Sequence, residues 1–320
     1  MMEVISGGAL NLIQDMGRNG YMNQGISRGG AMDMLALSLA NVLVGNQPDT
    51  AAIEINIFPF RVKFEEDVWF ACTGGNSAIM LDDESVSVWW RKQAKAGQTL
   101  VIERPRQGMR AYLAVRSGIN VPPVLGSAST DLKCEIGGLS GRALKRGDKL
   151  TAREIHLWKR ASLGIIPAPV PDFWRELSAR TVTVKVLPAA EFSEFTAEAL
   201  ENFTRTAYAV TPQSSRLGYR LSGAALLKSR DLELLSHGIV PGTIQVPPDG
   251  QPIVQLADAN TCGGYPKIAT IIESELWKVA QCPPGCQLRF ELVSIDAALH
   301  HLHEFHSQQT LLIHNLHLYS

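Results

Sequence analysis

Between residues 52 and 115 the chain repeats one pattern: a short apolar or alternating run, then a cluster of turn residues. The runs are Ala52 to Ile57, Arg61 to Phe64, Asp67 to Cys72, Ser85 to Trp90, Thr99 to Glu103 and Ala111 to Val115. Each has the length of a strand, and each is bounded by turn residues as strands are. A strand this short cannot bury its apolar face alone, so evenly spaced strands of this kind close on one another as a barrel or a sandwich. The first half of the chain is therefore expected to be mainly β.

One segment breaks the pattern. Ala31 to Val44 places Leu35, Leu39 and Val42 or Leu43 on one face, which predicts an amphipathic helix. Further on, Leu163 to Asp172 reads LGIIPAPVPD, and its prolines favour an extended connector between domains. Beyond it a strand is expected over Thr181 to Leu187, a helix over Glu191 to Phe203, and more strands from Tyr219 to Val293. The expected division is residues 1–165, residues 166–295 and a helical tail over 296–320. Arg18-Asn-Gly-Tyr21 is faintly echoed by Arg216-Leu-Gly-Tyr219, as a duplicated domain would require.

Composition limits the functions open to such a chain. Its 320 residues suit two domains of ordinary size, and 45% hydrophobic with 19% charged residues is a globular balance. A formal net charge of −1 with scattered Lys and Arg leaves no electrostatic footprint for nucleic acid. The start, MMEVISGGAL, lacks the basic-then-apolar pattern of a leader, and no run approaches the ~20 apolar residues of a membrane span, so a cytoplasmic location is expected. Five cysteines scattered through the chain fit reduced thiols better than a disulfide framework. Cys282 and Cys286 stand close, in CPPGC, but no second pair completes a zinc knuckle, and the run reads as a tight turn. Six of the eight histidines, His300, His301, His303, His306, His314 and His317, fall in the tail, which reads as a solvated helix, not a closed metal site.

Chemistry is concentrated in residues 258–267. Two apolar runs, Pro252 to Ala257 and Ile268 to Ile272, read as strands around a turn that holds Asp258, Asn260, Thr261, Tyr265 and Lys267. Gly263 and Gly264 are expected to supply positive φ or a close approach to a ligand. Asp258, at the end of a buried strand, is placed to act as a proton acceptor, although Asp also simply starts turns. Lys267 offers a compact positive charge to a phosphate or carboxylate, and Arg216 or Arg220 a bidentate grip; each is equally an ordinary solvent-facing charge. Gln213 and Ser214 offer neutral donors and acceptors suited to an amide or lactam. Asp33 is expected in the first turn of the Ala31 to Val44 helix, where either a carboxylate or a bound anion is favoured.

Ordered blocks of polar and glycine residues at 12–46, 122–148, 211–220, 236–256 and 258–272 resemble the allophanate hydrolase subunit 2 family, and within it the 5-oxoprolinase branch. The resemblance runs from about residue 3 to residue 295. It implies a mainly β (α+β) protein of two cyclophilin-like β-barrel domains with approximate two-fold pseudo-symmetry. It also gives Gly30 to Asp33 a functional reading, and adds Gln14, Asp15 and Arg18 to the site. The family's run reads Thr-Thr-Gly-Gly-Tyr-Pro, whereas here Thr261 is followed by Cys262, a weaker hydrogen-bonding group. The activity implied is the ATP-consuming opening of 5-oxo-L-proline to L-glutamate, together with separate A and B subunits. No GxxxxGK[ST] loop or Rossmann fingerprint is present, so ATP is expected on a partner polypeptide. Two other branches imply alternatives: a biotin-dependent carboxyltransferase acting on urea or a similar amide, and a non-catalytic antagonist of a kinase-inhibitor protein. No Met-Lys-Met site is present, so biotin would come from another polypeptide.

Overall fold

The computed structural model describes residues 1–152, 160–231 and 233–318. The chain divides into two compact units, one of Met1–Arg18, Gly29–Pro171 and the stretch from Gln309 onward, the other of Asn19–Arg28 and Asp172–Gln308. The fold is mainly β, as the strand spacing implies.

Among the described residues of the first unit, twelve strands form two six-stranded antiparallel sheets. One runs in the order 149–150, 2–6, 60–64, 99–102, 79–81, 84–86; the other 163–164, 90–94, 68–74, 111–115, 52–55, 12–14. Strand Phe60–Phe64 shows how the sequence chooses its faces: Phe60, Val62 and Phe64 are buried while Arg61 and Lys63 are exposed, the alternation of a sheet with one wet side. Phe64 stacks on Phe70 with ring centroids 5.5 Å apart. The run expected over 85–90 is instead two strands, Glu84–Val86 and Trp90–Ala94, because the backbone turns at Trp89, whose φ is +60°.

Helix α1 spans Met34–Leu43, and every residue from Leu35 to Leu43 is buried. The expected amphipathic helix is thus buried on all faces. Small residues make this feasible: Thr73 Oγ1, from strand Val68–Gly74, donates to the Ala36 carbonyl at 2.7 Å. Asp33 is not within the first turn but caps it, accepting from the Ala36 amide at 2.9 Å. The proline-rich stretch also departs from expectation. Residues 163–164 form a strand, and α2 begins at Pro169 and runs to Ser178; prolines in a first helical turn lose no hydrogen bond.

The second unit is built on a closed barrel of seven strands, in the order 181–188, 267–271, 243–245, 253–255, 218–222, 208–210, 287–292. A parallel pairing of 181–188 with 287–292 closes it. Val182, Val184 and Val186 alternate inward. The helix expected over 191–203 is a 3-10 turn at Phe192–Glu194 followed by α3, Ala197–Arg205, capped by the Thr196 side chain on the Ala199 amide at 3.1 Å. Its Phe203 stacks on Phe290 of the barrel at 4.7 Å. A short helix α4, Leu276–Ala280, presents Trp277 to Phe173 at 4.8 Å, and α5 spans Ile295–Leu318. Among the described residues no helix is long and apolar enough to cross a membrane.

Two residues separate the contributions to the second unit. Phe203→Ala removes a fully buried ring and is expected to cost about 3–5 kcal/mol, whereas Thr196→Ala removes only a helix cap and costs about 1 kcal/mol. Urea unfolding of the two variants checks the difference.

Candidate functional site

In the first unit the glycine-rich loop follows strand Leu12–Gln14. Asp15 Oδ1 accepts from the Gly17 amide at 2.8 Å and from the Ser127 and Ser129 hydroxyls at 2.6 Å each. Its Oδ2 accepts from the Ala128 amide at 2.6 Å. Asp15 thus staples its loop to residues 127–129 through both oxygens. Gln14 is fully buried, and its Nε2 donates to the Thr130 carbonyl at 3.1 Å.

Arg18 is fully buried as well. Its Nη2 donates to the Ser129 carbonyl, while Nε and Nη1 have no hydrogen-bond partner among the described residues. A buried guanidinium ordinarily pairs with a carboxylate, so this donor set fits an anionic group. Gly137 is required beside it, since any Cβ there collides with the Ser129 carbonyl and Arg18 Nη2.

Asp33 belongs to a buried network that the linear sequence does not reveal. Its amide donates to the Tyr112 phenol oxygen at 2.8 Å, and that phenol donates to Glu54 Oε2 at 2.8 Å, which also accepts from the Met32 amide at 2.8 Å. Burial, reinforced by the Glu54 and Asp33 carboxylates, pushes the Tyr112 phenol well above its ordinary value. Glu54 leaves one trace in the sequence, an acid inside the apolar run AAIEINI.

The second unit holds the turn at 258–267. Strand Ile253–Gln255 is shorter than expected, and Asp258 lies three residues beyond its end. Asp258 and Arg216 face each other side-on: Nε to Oδ2 at 2.7 Å and Nη2 to Oδ1 at 2.8 Å. The two residues read separately from the sequence as a proton acceptor and an anion grip bind one another across 42 positions. Their backbones join too, the Asp258 amide donating to the Arg216 carbonyl at 3.1 Å. The pair clamps the hairpin loop at 211–217 to the turn, since a bidentate arginine–carboxylate contact fixes geometry as well as charge. Gln213, Ser214 and Arg220 lie on the same hairpin. Gln213 and Arg220 are exposed, Ser214 Oγ donates to the Arg220 carbonyl at 3.4 Å, and no hydrogen bond joins the three to Asp258 or Lys267 among the described residues.

Segment 19–28 reaches the same turn, Ser27 Oγ donating to the Ala259 carbonyl at 2.8 Å. Asn260 and Tyr265 are exposed, Thr261 half-buried. A two-residue ribbon pairs His237 with Gly263 and Gly238 with Cys262. Neither Gly263 nor Gly264 has positive φ, contrary to one of the two roles expected of them. Gly263 is closely approached instead: a Cβ there would stand 2.6 Å from Ile239 Cδ1 and 2.8 Å from Gln245 Nε2, both ends of flexible side chains that would have to move.

Lys267 opens strand Lys267–Ile271, where pairing with strand Thr243–Gln245 shifts register between Ile244 and Gln245. The shift sets Lys267 opposite Gln245. Gln245 Oε1 accepts from Gln255 Nε2 at 3.0 Å, and its Nε2 donates to the Tyr265 carbonyl at 3.2 Å. Lys267 is buried, with Nζ hydrogen-bonded to His237 Nε2. Its backbone amide donates to Glu191 Oε2 at 2.9 Å, and Glu191 Oε1 stands 3.5 Å from His237 Nε2. Burial pushes the Lys267 ammonium below its ordinary value, with Glu191 and then Cys262 opposing. Burial thus makes this amine give up its proton more easily than free lysine, the direction that favours proton transfer. The sequence alone does not single out His237, Glu191 or Gln245. A single His in SHGIVPG carries no spacing signal, and Glu191 comes from the turn before α3.

Among the described residues no three His, Cys, Asp or Glu side chains gather as metal ligands. Cys282 and Cys286 are buried free thiols, and in the tail helix His300 pairs with Glu304 at 3.3 Å.

Residues 24–292 match the family model described as carboxyltransferase domain, subdomain A and B. The chain is 45% identical over 299 residues to the C subunit of 5-oxoprolinase from Escherichia coli K12, covering 93% of each. It is 40% identical over 298 residues to the C subunit of 5-oxoprolinase from Haemophilus influenzae, again covering 93% of each. The crystal structure of the K. lactis urea amidolyase superposes on 98% of this chain with a TM-score of 0.87 and 31% identity; this chain spans 20% of that protein's length.

Two expectations follow for the second unit. In a double-mutant cycle of Arg216→Ala and Asp258→Ala, read by thermal unfolding, the two residues are coupled by about 1–2 kcal/mol. Because the folded-state value of Lys267 is depressed, the unfolded chain holds that proton more tightly, and folding gains stability as pH rises from the folded value to the unfolded one. Lys267→Met is therefore more stable than the parent at about pH 7, by a margin that closes toward about pH 10; denaturant titrations across this range check it.

Proposed function

The chain belongs to the family of carboxyltransferase domains with subdomains A and B, and from that premise we propose that it works as the C subunit of an ATP-dependent 5-oxoprolinase, opening 5-oxo-L-proline to L-glutamate together with partner A and B subunits. The observation that carries the reading is the Lys267 amine, buried at the mouth of a barrel strand, proton-labile and hydrogen-bonded to His237 beside Glu191. The relatives named as C subunits of 5-oxoprolinase, matched over nearly their whole length, support the substrate. A cytoplasmic location goes with this reading, as do five thiols that are free.

Opening a five-membered lactam needs its resonance-stabilised amide weakened, water added at the carbonyl carbon, and the departing nitrogen protonated. ATP supplies the activation of the lactam oxygen when bound, and that role falls to a partner polypeptide. This chain has no phosphate-loop sequence. What the chain contributes is proton handling and shape. Lys267 takes or gives a proton at Nζ. The Arg216–Asp258 clamp holds the turn in place, so Asp258 acts as an anchor. In the first unit, Arg18 has the free donors to hold a carboxylate.

A second reading is favoured by the likeness to the urea amidolyase: a carboxyltransferase acting on urea or a similar amide with biotin from another polypeptide. The readings part on one assay. With the A and B subunits supplied, the parent chain is expected to support linked ADP and glutamate formation that avidin leaves unchanged, and Lys267→Met to lower kcat at least about 100-fold. Inhibition by avidin, or turnover that requires bicarbonate and urea, would transfer the assignment to the second reading.

A further inference from the structure

We propose that Lys267 and His237 form a proton relay between the turn at 258–267 and solvent, with Glu191 holding the charge in transit. The proposal rests on the reading that the turn at 258–267 is where the reaction occurs, and it assigns a role to a histidine outside the glycine-rich motif itself.

His237 has a defined place. Its backbone pairs with Gly263 in the ribbon, and its Nδ1 lies 3.0 Å from the Leu235 carbonyl oxygen. A carbonyl can only accept, so Nδ1 carries the hydrogen, and Nε2 keeps its lone pair. That lone pair faces Lys267 Nζ, which can only donate when charged. The two contacts agree: the tautomer selected by Leu235 is the one that accepts a proton from Lys267.

The pair spans the boundary between protein and water. Lys267 is 6% exposed, whereas the His237 side chain is 41% exposed and Glu191 12%. In the step proposed, the Lys267 ammonium gives a proton along its hydrogen bond to His237 Nε2, an N–H bond breaking at Nζ as one forms at Nε2, and the amine left behind takes up the proton released by the reacting water. Glu191 Oε1, 3.5 Å from that nitrogen, stabilises the imidazolium, and a base in solvent then removes the proton from Nε2, restoring the Nδ1–H tautomer. The same path run backwards delivers a proton for the departing nitrogen. The charged and titratable groups facing the pair are Glu191 from the turn before α3 and Cys262 from the ribbon.

The test has two arms. In the first, the whole chain with 15N-labelled histidine is examined by NMR: His237 is expected as the Nδ1–H tautomer, with an Nε2 signal that moves in Lys267→Met. An Nε2–H tautomer overturns the relay. In the second, the chain is assembled with the A and B subunits. His237→Gln retains a hydrogen-bonding side chain but cannot carry a proton, and is expected to lose about 100-fold in kcat with KM unchanged. His237→Ala is expected to behave alike and to regain activity with added imidazole, both variants melting close to the parent. Parental kcat in His237→Gln, or a loss in His237→Ala that imidazole leaves untouched, overturns the proposal. If the parent chain itself fails to raise glutamate formation, the 5-oxoprolinase reading falls, and the NMR arm still decides the relay.

Discussion

A shift of register between strands Thr243–Gln245 and Lys267–Ile271 decides which side chains meet around Lys267 in the second unit. Side chains along a strand alternate between faces, so moving the pairing by one residue changes which of them meet. Here Ile244 opposes Ala269 and Gln245 opposes Lys267, leaving Ile268 as the extra residue. Without the shift Ile268 would stand opposite Gln245, and Lys267 would fall out of register with it. Such irregularities recur beside active sites because they re-aim one side chain without disturbing the rest of a sheet.

Everything around that lysine then follows from its burial. A lone ammonium removed from water is costly, and the structure offsets this with a carboxylate, Glu191, which also receives the backbone amide of Lys267, and with the imidazole of His237. The compensation is incomplete, since the amine still gives up its proton more readily than free lysine. The proposed function draws on that residual imbalance. The opposite solution is seen at Asp258, where Arg216 engages both oxygens. Full pairing there makes a rigid joint. The two acids that the sequence sets beside Lys267 as candidates, Asp258 and Asp33, both turn out to organise backbone, one through a clamp and the other as a helix cap.

Local order is readable from the chain, and long-range pairing is not. Alternation in Phe60–Phe64 and the even spacing of turns point to sheets because strand burial repeats every second residue. The glycine-rich turn at 258–267 is visible because it interrupts two apolar runs. The close neighbours of Gly263 are hidden, since Ile239 and Gln245 are distant in sequence. The Arg216–Asp258 pair, the Tyr112 bridge between Asp33 and Glu54, and the His237–Lys267 contact share that property: each joins elements that only folding brings together. The prolines at 167–171 mislead because proline opposes helix interiors yet opens helices well, and α2 starts among them.

On the proposed function, the turn at 258–267 and its His237 ribbon are the place where 5-oxo-L-proline is processed. Amide hydrogen exchange on the assembled complex is the decisive measurement, made with and without 5-oxo-L-proline and a non-hydrolysable ATP analogue. Exchange in this chain is expected to slow on adding them, centred on residues 237–239, 245–246 and 259–267. Unchanged exchange there, with protection confined to the A and B subunits, would contradict it and leave this chain a structural companion to a site built elsewhere.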